Sequence, residues 1–416
     1  MVRILSSIML MLCLAACGGG GGGSGIDPAP TPTGIPANPS GPNVQAVVVD
    51  NGPASIAKSS PTVNTLYTTV TVCAPGTTSC QSIDHVQVDT GSYGLRIISS
   101  ALTSVSLPAL TDSNHNLLAE CLPFVDGSSW GSLRQADIKI GGETASGLTI
   151  ELVGDPQAPG VPAGCTGTPE NTVATFGANG ILGIGPFIQD CGTGCATTAS
   201  GSMYYVCTGS ASSTCTPTTL ATSQQVSNPV AAFATDNNGI AIVLPSVASS
   251  GAPSVSGYLV FGIGTQGNNG LGSAAIYDID ASQGTFTTSF AGTSLADSYI
   301  DSGSNAYFFP DTTLPTCPDN ASFFCPSTTQ NLNATIQGNN GVNATVPFTI
   351  ANADSLFSGS AAIASVNDLG GPVTSSTGFG STNVFDWGLT FYYGRTVYTA
   401  IEGHTTAAGS GPYFAF

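Results

Sequence analysis

The sequence predicts a mainly-β protein of two similar lobes, each bringing one carboxylate to a shared cleft. Three observations carry that expectation. Val88-Asp89-Thr90-Gly91-Ser92 and Tyr299-Ile300-Asp301-Ser302-Gly303-Ser304 repeat one signature after an apolar run, 212 residues apart (301 − 89). Short runs rich in Val, Thr and Tyr alternate with Gly, Pro, Asn and Asp turn signals along the chain. No long amphipathic helical pattern interrupts them.

The chain opens with Arg3, an apolar stretch from Ile4 to Leu12, and Leu14-Ala15-Ala16-Cys17. It resembles a bacterial lipoprotein precursor: 1–16 would be a leader, too short to span a membrane, and Cys17 the lipidated mature N-terminus. Gly18, not Asp, follows the cysteine, which favours the outer membrane, facing the periplasm or the cell surface. Residues 17–42 are Gly-rich, then rich in Pro, Thr, Ser and Ala, and read as a tether. They carry no Lys or Arg, so no basic pro-segment is expected there.

An N-terminal lobe is expected over 43–230 and a C-terminal lobe over 231–416. Residues 43–49 form a strand ending at the turn Asp50-Asn51-Gly52. Residues 64–73 run into a turn bracketed by Cys73 and Cys80, and the return strand Ile83 to Val88 delivers Asp89. Further strands are expected at 137–140, 147–153, 240–244, 257–262, 274–280, 285–290, 345–350 and 389–400. Each Asp turn is followed by an apolar-Gly segment. Gly183, inside Gly180–Gly185, lies 94 residues after Asp89 (183 − 89), and Gly388 lies 87 after Asp301 (388 − 301).

Twelve cysteines less Cys13 and Cys17 leave ten, an even number suited to disulfides in an exported chain. Short spacings predict Cys73–Cys80, Cys191–Cys195, Cys207–Cys215 and Cys317–Cys325, and elimination leaves Cys121–Cys165. The spacings fit no zinc pattern. Net charge is −18, or −19 once Arg3 is lost (24 acidic, 5 basic), which makes nucleic acid and anionic headgroups poor partners. No metal or cofactor is called for, the lipid is the only expected membrane contact, and a monomer is expected.

Two carboxylates about 3 Å apart share one proton, because both cannot ionise cheaply. Such a pair activates water against an amide without a metal. The glycines Gly91 and Gly303 permit the tight turns, the Thr90 and Ser302 hydroxyls are placed to brace the two loops, and Ser92 and Ser304 are placed to bond the outer carboxylate oxygens.

On these motifs, with the segment 124–142, the chain resembles the pepsin-like aspartic proteases. Its ending, from Phe385-Asp386-Trp387-Gly388 to Ile401-Glu402-Gly403, is also similar to a family of bacterial lipoproteins. The resemblance implies two related β-barrel-like lobes, a central cleft, a flap, and a catalytic pair Asp89/Asp301 hydrolysing peptide or unfolded protein. It implies a flap around Phe124, Asp126, Gly127 and Trp130. Phe124 stands where the family has a tyrosine, and Arg96 where a tryptophan often bonds it. An ion pair with a nearby Asp is the expected role of Arg96. Asp386 occupies a normally apolar place. The other reading is a catalytically weak pepsin-like surface module that binds peptide or glycan. Gly127-Ser128-Ser129-Trp130-Gly131 with His404 matches a serine-hydrolase pattern but lacks the strand–turn–helix context. Asp278-x-Asp280-x-Ser282 fails as a calcium loop, because Gln283 and Ser289 replace its Gly and Glu.

Overall fold

The computed structural model describes residues 34–199, 203–358, 363–374, 378–379 and 381–416, and these belong to one compact unit. Cys17 and the expected leader lie outside them. Residues 34–42, expected as the end of the tether, lie against the body instead. Gly34 bridges to Gly270, Ile35 packs near Tyr398, and Asn268 Nδ2 donates to the Ser40 carbonyl at 2.8 Å.

The protein is mainly β and two-lobed, as expected. A 15-stranded sheet runs through the N-terminal lobe and into the strands shared between lobes, and a seven-stranded sheet forms much of the C-terminal lobe. Val44–Val49 joins the two halves: it pairs antiparallel with Val255–Phe261 over six residues and with Leu66–Cys73 at Val48 and Val49. Gly239–Val243, Thr396–Ala400 and Tyr413–Ala415 extend this central layer. All five expected disulfides are present.

Each lobe repeats one local topology beneath its Asp turn. Cys80–Asp89 pairs parallel with Gly180–Ile184, which pairs antiparallel with Tyr93–Ile98. Thr293–Ile300 pairs parallel with Asp386–Trp387, which pairs antiparallel with Tyr307–Phe309. The glycines of the crossing segments are required by close approach. A Cβ on Gly183 would lie 2.6 Å from Tyr93 N, and one on Gly388 would lie 2.8 Å from Ser304 O.

The N-terminal lobe packs aliphatic side chains, Val70, Val86, Leu95, Ile138 and Ile150 among them. The C-terminal lobe stacks rings: Phe309 on Phe385 at 5.0 Å and Phe385 on Trp387 at 4.2 Å. Both cores remove apolar surface from water, worth roughly 25 cal/mol per Å². Rings add preferred stacking geometry, so they fix the crossing segment Asp386–Trp387 firmly.

One expected strand is corrected. Residues 389–400 are not continuous: Leu389–Tyr392 is a buried helical turn, and the strand is Thr396–Ala400. A short run buried on all sides has no periodicity to separate helix from strand. Tyr93–Ile98, Leu117–Pro123, Thr293–Ile300 and Gln330–Gln337 are strands the sequence reading did not place.

Candidate active site

The two Asp turns are built alike and face each other. Asp89 ends its strand, and Gly91 N–H returns to its Oδ1 at 2.7 Å, while Ser92 Oγ bonds its Oδ2. Gly303 N–H donates to Asp301 Oδ1, also at 2.7 Å, and Ser304 Oγ lies 3.1 Å from Asp301 Oδ2. The charge of Asp89 is felt at Asp301. Their closeness to the opposite turn is severe: a Cβ on Gly91 would lie 2.6 Å from Asp301 Oδ2, and one on Gly303 would lie 2.7 Å from Asp89 Cγ. Only glycine fits at either place.

The turns are braced by exchange. Thr90 N–H donates to Ser302 Oγ at 3.1 Å and Ser302 N–H donates to Thr90 Oγ1 at 3.0 Å. Ser302 Oγ donates to Val88 O at 2.8 Å. Tyr392, which no local motif marks in the sequence, adds its hydroxyl 2.9 Å from Thr90 Oγ1. Gln87 Nε2 donates to the Gly303 carbonyl at 2.9 Å. The backbone N–H and the hydroxyl of both Thr90 and Ser302 are therefore satisfied within the protein, as buried groups must be.

Burial pushes Asp301 well above the ordinary carboxylate range, and the nearby charge of Asp89 pushes it further. Asp386 is completely buried, is itself pushed well up by burial, and lies 2.5 Å from Ser304 Oγ through its Oδ2. Its identity is legible in the sequence, but its direction toward the dyad follows only from the parallel pairing of Tyr299 with Asp386.

The segment expected as a flap is the hairpin of Leu117–Pro123 and Ser128–Ile140, closed by Phe124 N–H donating to Gly127 O at 2.8 Å. Phe124 is half-buried and meets Phe176 edge-on at 5.7 Å. Asp126 is exposed on the turn, and Gly127 is hemmed in by Thr168 O and the Glu170 side chain. Glu170 is pushed up to about 7 by burial and by the charge of Asp126. The tip reaches the other lobe: a Cβ on Gly378 would lie 3.1 Å from the Val125 carbonyl carbon.

Two flap-and-cleft expectations are corrected. Trp130 does not line the cleft. It is 3% exposed, donates Nε1–H to Pro159 O at 2.7 Å, and meets Tyr205 edge-on among the disulfide cysteines at the hairpin base. Alternation along the strand turns it away. Arg96 does not line the cleft either. It is wholly buried between Glu120 at 2.8 Å, Asp190 at 2.9 Å and Glu151 at 3.3 Å. The expected ion pair is thus a four-membered cluster binding Tyr93–Ile98 to the flap strand and its neighbours. Burial raises Glu120, but Arg96 and hydrogen bonds from Asp190 and Glu151 outweigh that and hold it below its usual range. Burial, then the charge of Glu120, pushes Glu151 and Asp190 well up.

Ser129, in the serine-hydrolase pattern, lies inside a strand and donates to Glu151 at 2.8 Å. That is no nucleophile elbow.

The crystal structure of an aspartic proteinase from Irpex lacteus is similar to this chain with a TM-score of 0.51 and 17% identity, covering 89% of this chain and 96% of that one. At that identity the likeness is one of fold, and it supports a pepsin-like fold here. No curated protein matches the sequence. A family profile matches residues 39–416, from the end of the expected tether to the last residue, so the chain belongs to the family described as "Protein of unknown function (DUF3443)".

Proposed function

We propose that this protein is an aspartic endopeptidase in which Asp89 and Asp301 activate one water. The observation that carries the reading is the pair of mirrored turns, each carboxyl set so close to the opposite turn that glycine is the only residue that fits facing it. In the resting state the shared proton sits on Asp301, where burial and the charge of Asp89 favour it. Asp89 takes a proton from water as the water attacks the peptide carbonyl. Asp301 donates its proton to the carbonyl oxygen, and the resulting diol collapses with proton return to the leaving amine. The Thr90–Ser302 exchange holds the two turns and their carboxyls in place without reorganisation, the condition for electrostatic stabilisation of the developing charge.

The leader-like residues 1–16 and Cys17 support lipid anchoring at the bacterial envelope as part of the same proposal. The protein would act there on unfolded or extended peptide as a monomer.

The test is cleavage of denatured protein at acidic pH by the wild type, Asp89→Asn and Asp301→Asn. A statyl-type mimic of the diol should slow the wild type. Loss of cleavage in both variants, with unchanged circular dichroism, is the expected result. Equal activity in all three ends the reading. Tight peptide binding without cleavage would favour a surface binding module.

A further inference from the structure

The two lobes differ at one equivalent position. In the N-terminal lobe, Ile181 pairs with Gln87, two residues before Asp89. In the C-terminal lobe, Asp386 pairs with Tyr299, two residues before Asp301. An apolar residue thus underlies one member of the pair and a carboxyl underlies the other. Asp386 is 0% exposed, takes part in none of the ion pairs among the described residues, and leaves Oδ1 without a hydrogen-bond partner there. Its Oδ2 lies 2.5 Å from Ser304 Oγ, which in turn lies 3.1 Å from Asp301 Oδ2.

A serine hydroxyl carries one proton. Ser304 therefore cannot donate to both carboxyls, and one of the two carboxyls must supply a second proton to the chain. Asp386 has the strongest reason to hold it, because an unpaired buried anion is the costliest state available.

We propose that Asp386 is a positioning acid for the dyad: it donates its own O–H to Ser304, which then donates to the outer oxygen of Asp301. This rests on the peptidase reading for its consequence, though not for its geometry. The chain orients Ser304 toward Asp301 and strengthens the bond it gives, since linked hydrogen bonds polarise one another. Asp301 is thereby helped to carry negative charge when its proton passes to substrate. Ser92 gives Asp89 the same kind of bond with no third acid behind it, so the lobes are chemically unequal. The groups facing Asp386 are Asp301 and Asp89 in the dyad, Tyr299 on its parallel neighbour and Tyr392 on the helical turn after it. Its antiparallel neighbour contributes Phe308, which does not titrate.

The test compares the full-length wild type with Asp386→Asn, Asp386→Leu and Ser304→Ala. Asparagine keeps a donor of the same shape, whereas leucine restores the apolar character of Ile181. At acidic pH, Asp386→Leu should lower kcat about tenfold with KM little changed, the size of one strengthened hydrogen bond. Asp386→Asn should recover most of that loss. The basic limb of the pH profile should move to higher pH in Asp386→Leu and in Ser304→Ala, and stay in place in Asp386→Asn.

Two readings need no peptidase activity and separate this proposal from the function. The infrared difference between wild type and Asp386→Asn at neutral pH should contain a protonated-carboxyl band. The carboxyl carbon of Asp301, followed by NMR, should titrate at higher pH in Asp386→Leu than in wild type. Absence of the band, or a downward shift of Asp301 in Asp386→Leu, would make Asp386 an anion and overturn the proposal. So would equal losses in the Asn and Leu variants, or no change in either.

Discussion

Thr90 and Ser302, 212 residues apart (302 − 90), exchange backbone-to-hydroxyl hydrogen bonds of 3.0 and 3.1 Å across the lobes. The exchange is fully buried, so removing either hydroxyl strands donors that water cannot reach. Ser302→Ala should cost about 1–3 kcal/mol of stability, and Thr90→Val a similar amount. Urea unfolding checks this. A loss near zero in both would mean the brace is incidental to holding the lobes together.

Asp301 gives a pH-dependent prediction whose sign is fixed by its raised pKa. The folded state binds this proton more tightly than the unfolded state does. That contribution is complete below the ordinary carboxylate pKa and is lost as pH rises toward the folded value. Asp301→Asn, a neutral isostere, should therefore match wild-type melting near pH 3 and exceed it at pH 8, even as cleavage disappears. A variant less stable than wild type at pH 8 would contradict the direction.

Arg96 should behave as a structural cation. Arg96→Leu leaves Glu120 buried without its partner and should cost about 3–5 kcal/mol. Arg96→Trp, which restores the residue of pepsin-like enzymes, should be no better tolerated. Glu151→Gln works oppositely: its carboxyl is pushed up, so the variant should gain stability relative to wild type as pH rises. Thermal melts at pH 5 and pH 8 separate these cases.

Flap opening should depend on Glu170, which titrates at about 7 beside the turn at Asp126 and Gly127. Its protonated form is favoured when the turn is packed, so closure is strongest below the ordinary carboxylate range and weakens as pH rises through 7. Limited proteolysis or amide exchange at residues 123–128 should accelerate between pH 6 and pH 8. Glu170→Gln should abolish that change. An unchanged pH response in the variant would assign the effect elsewhere.

Among the disulfides, Cys121–Cys165 closes a loop of 44 residues and Cys191–Cys195 one of 4. The chain-entropy relation gives about 4 kcal/mol for the first and about 2 kcal/mol for the second. Paired Cys→Ala replacements followed by denaturant unfolding should reproduce that order.

Local chemistry was the part legible in the sequence. The Asp turns announce themselves because carboxylate, glycine and hydroxyl lie within four residues, and four disulfides close over eight residues or fewer. The two-lobed fold followed from the repeat. Arg96 was misplaced because its partners lie 24, 55 and 94 residues away (120, 151 and 190 − 96), with no local mark of their convergence. Trp130 was misplaced because strand parity, which decides its face, depends on a register the sequence does not state. Thr293–Ile300 escaped notice because Ser294, Ala296 and Asp297 blur its alternation.

The strand Val44–Val49 has a consequence for the order in which the protein is made. It is synthesised early, yet Val44 pairs with Val260, 216 residues later (260 − 44). Until then only Val48 and Val49 find partners, on Leu66–Cys73. A nascent N-terminal half therefore presents a long, Val-rich open edge while the ribosome completes the rest, and such edges recruit other strands. Lobe-by-lobe folding leaves this strand unfinished: it is a latch left hanging until most of the polypeptide exists, and any holding factor would find its target there.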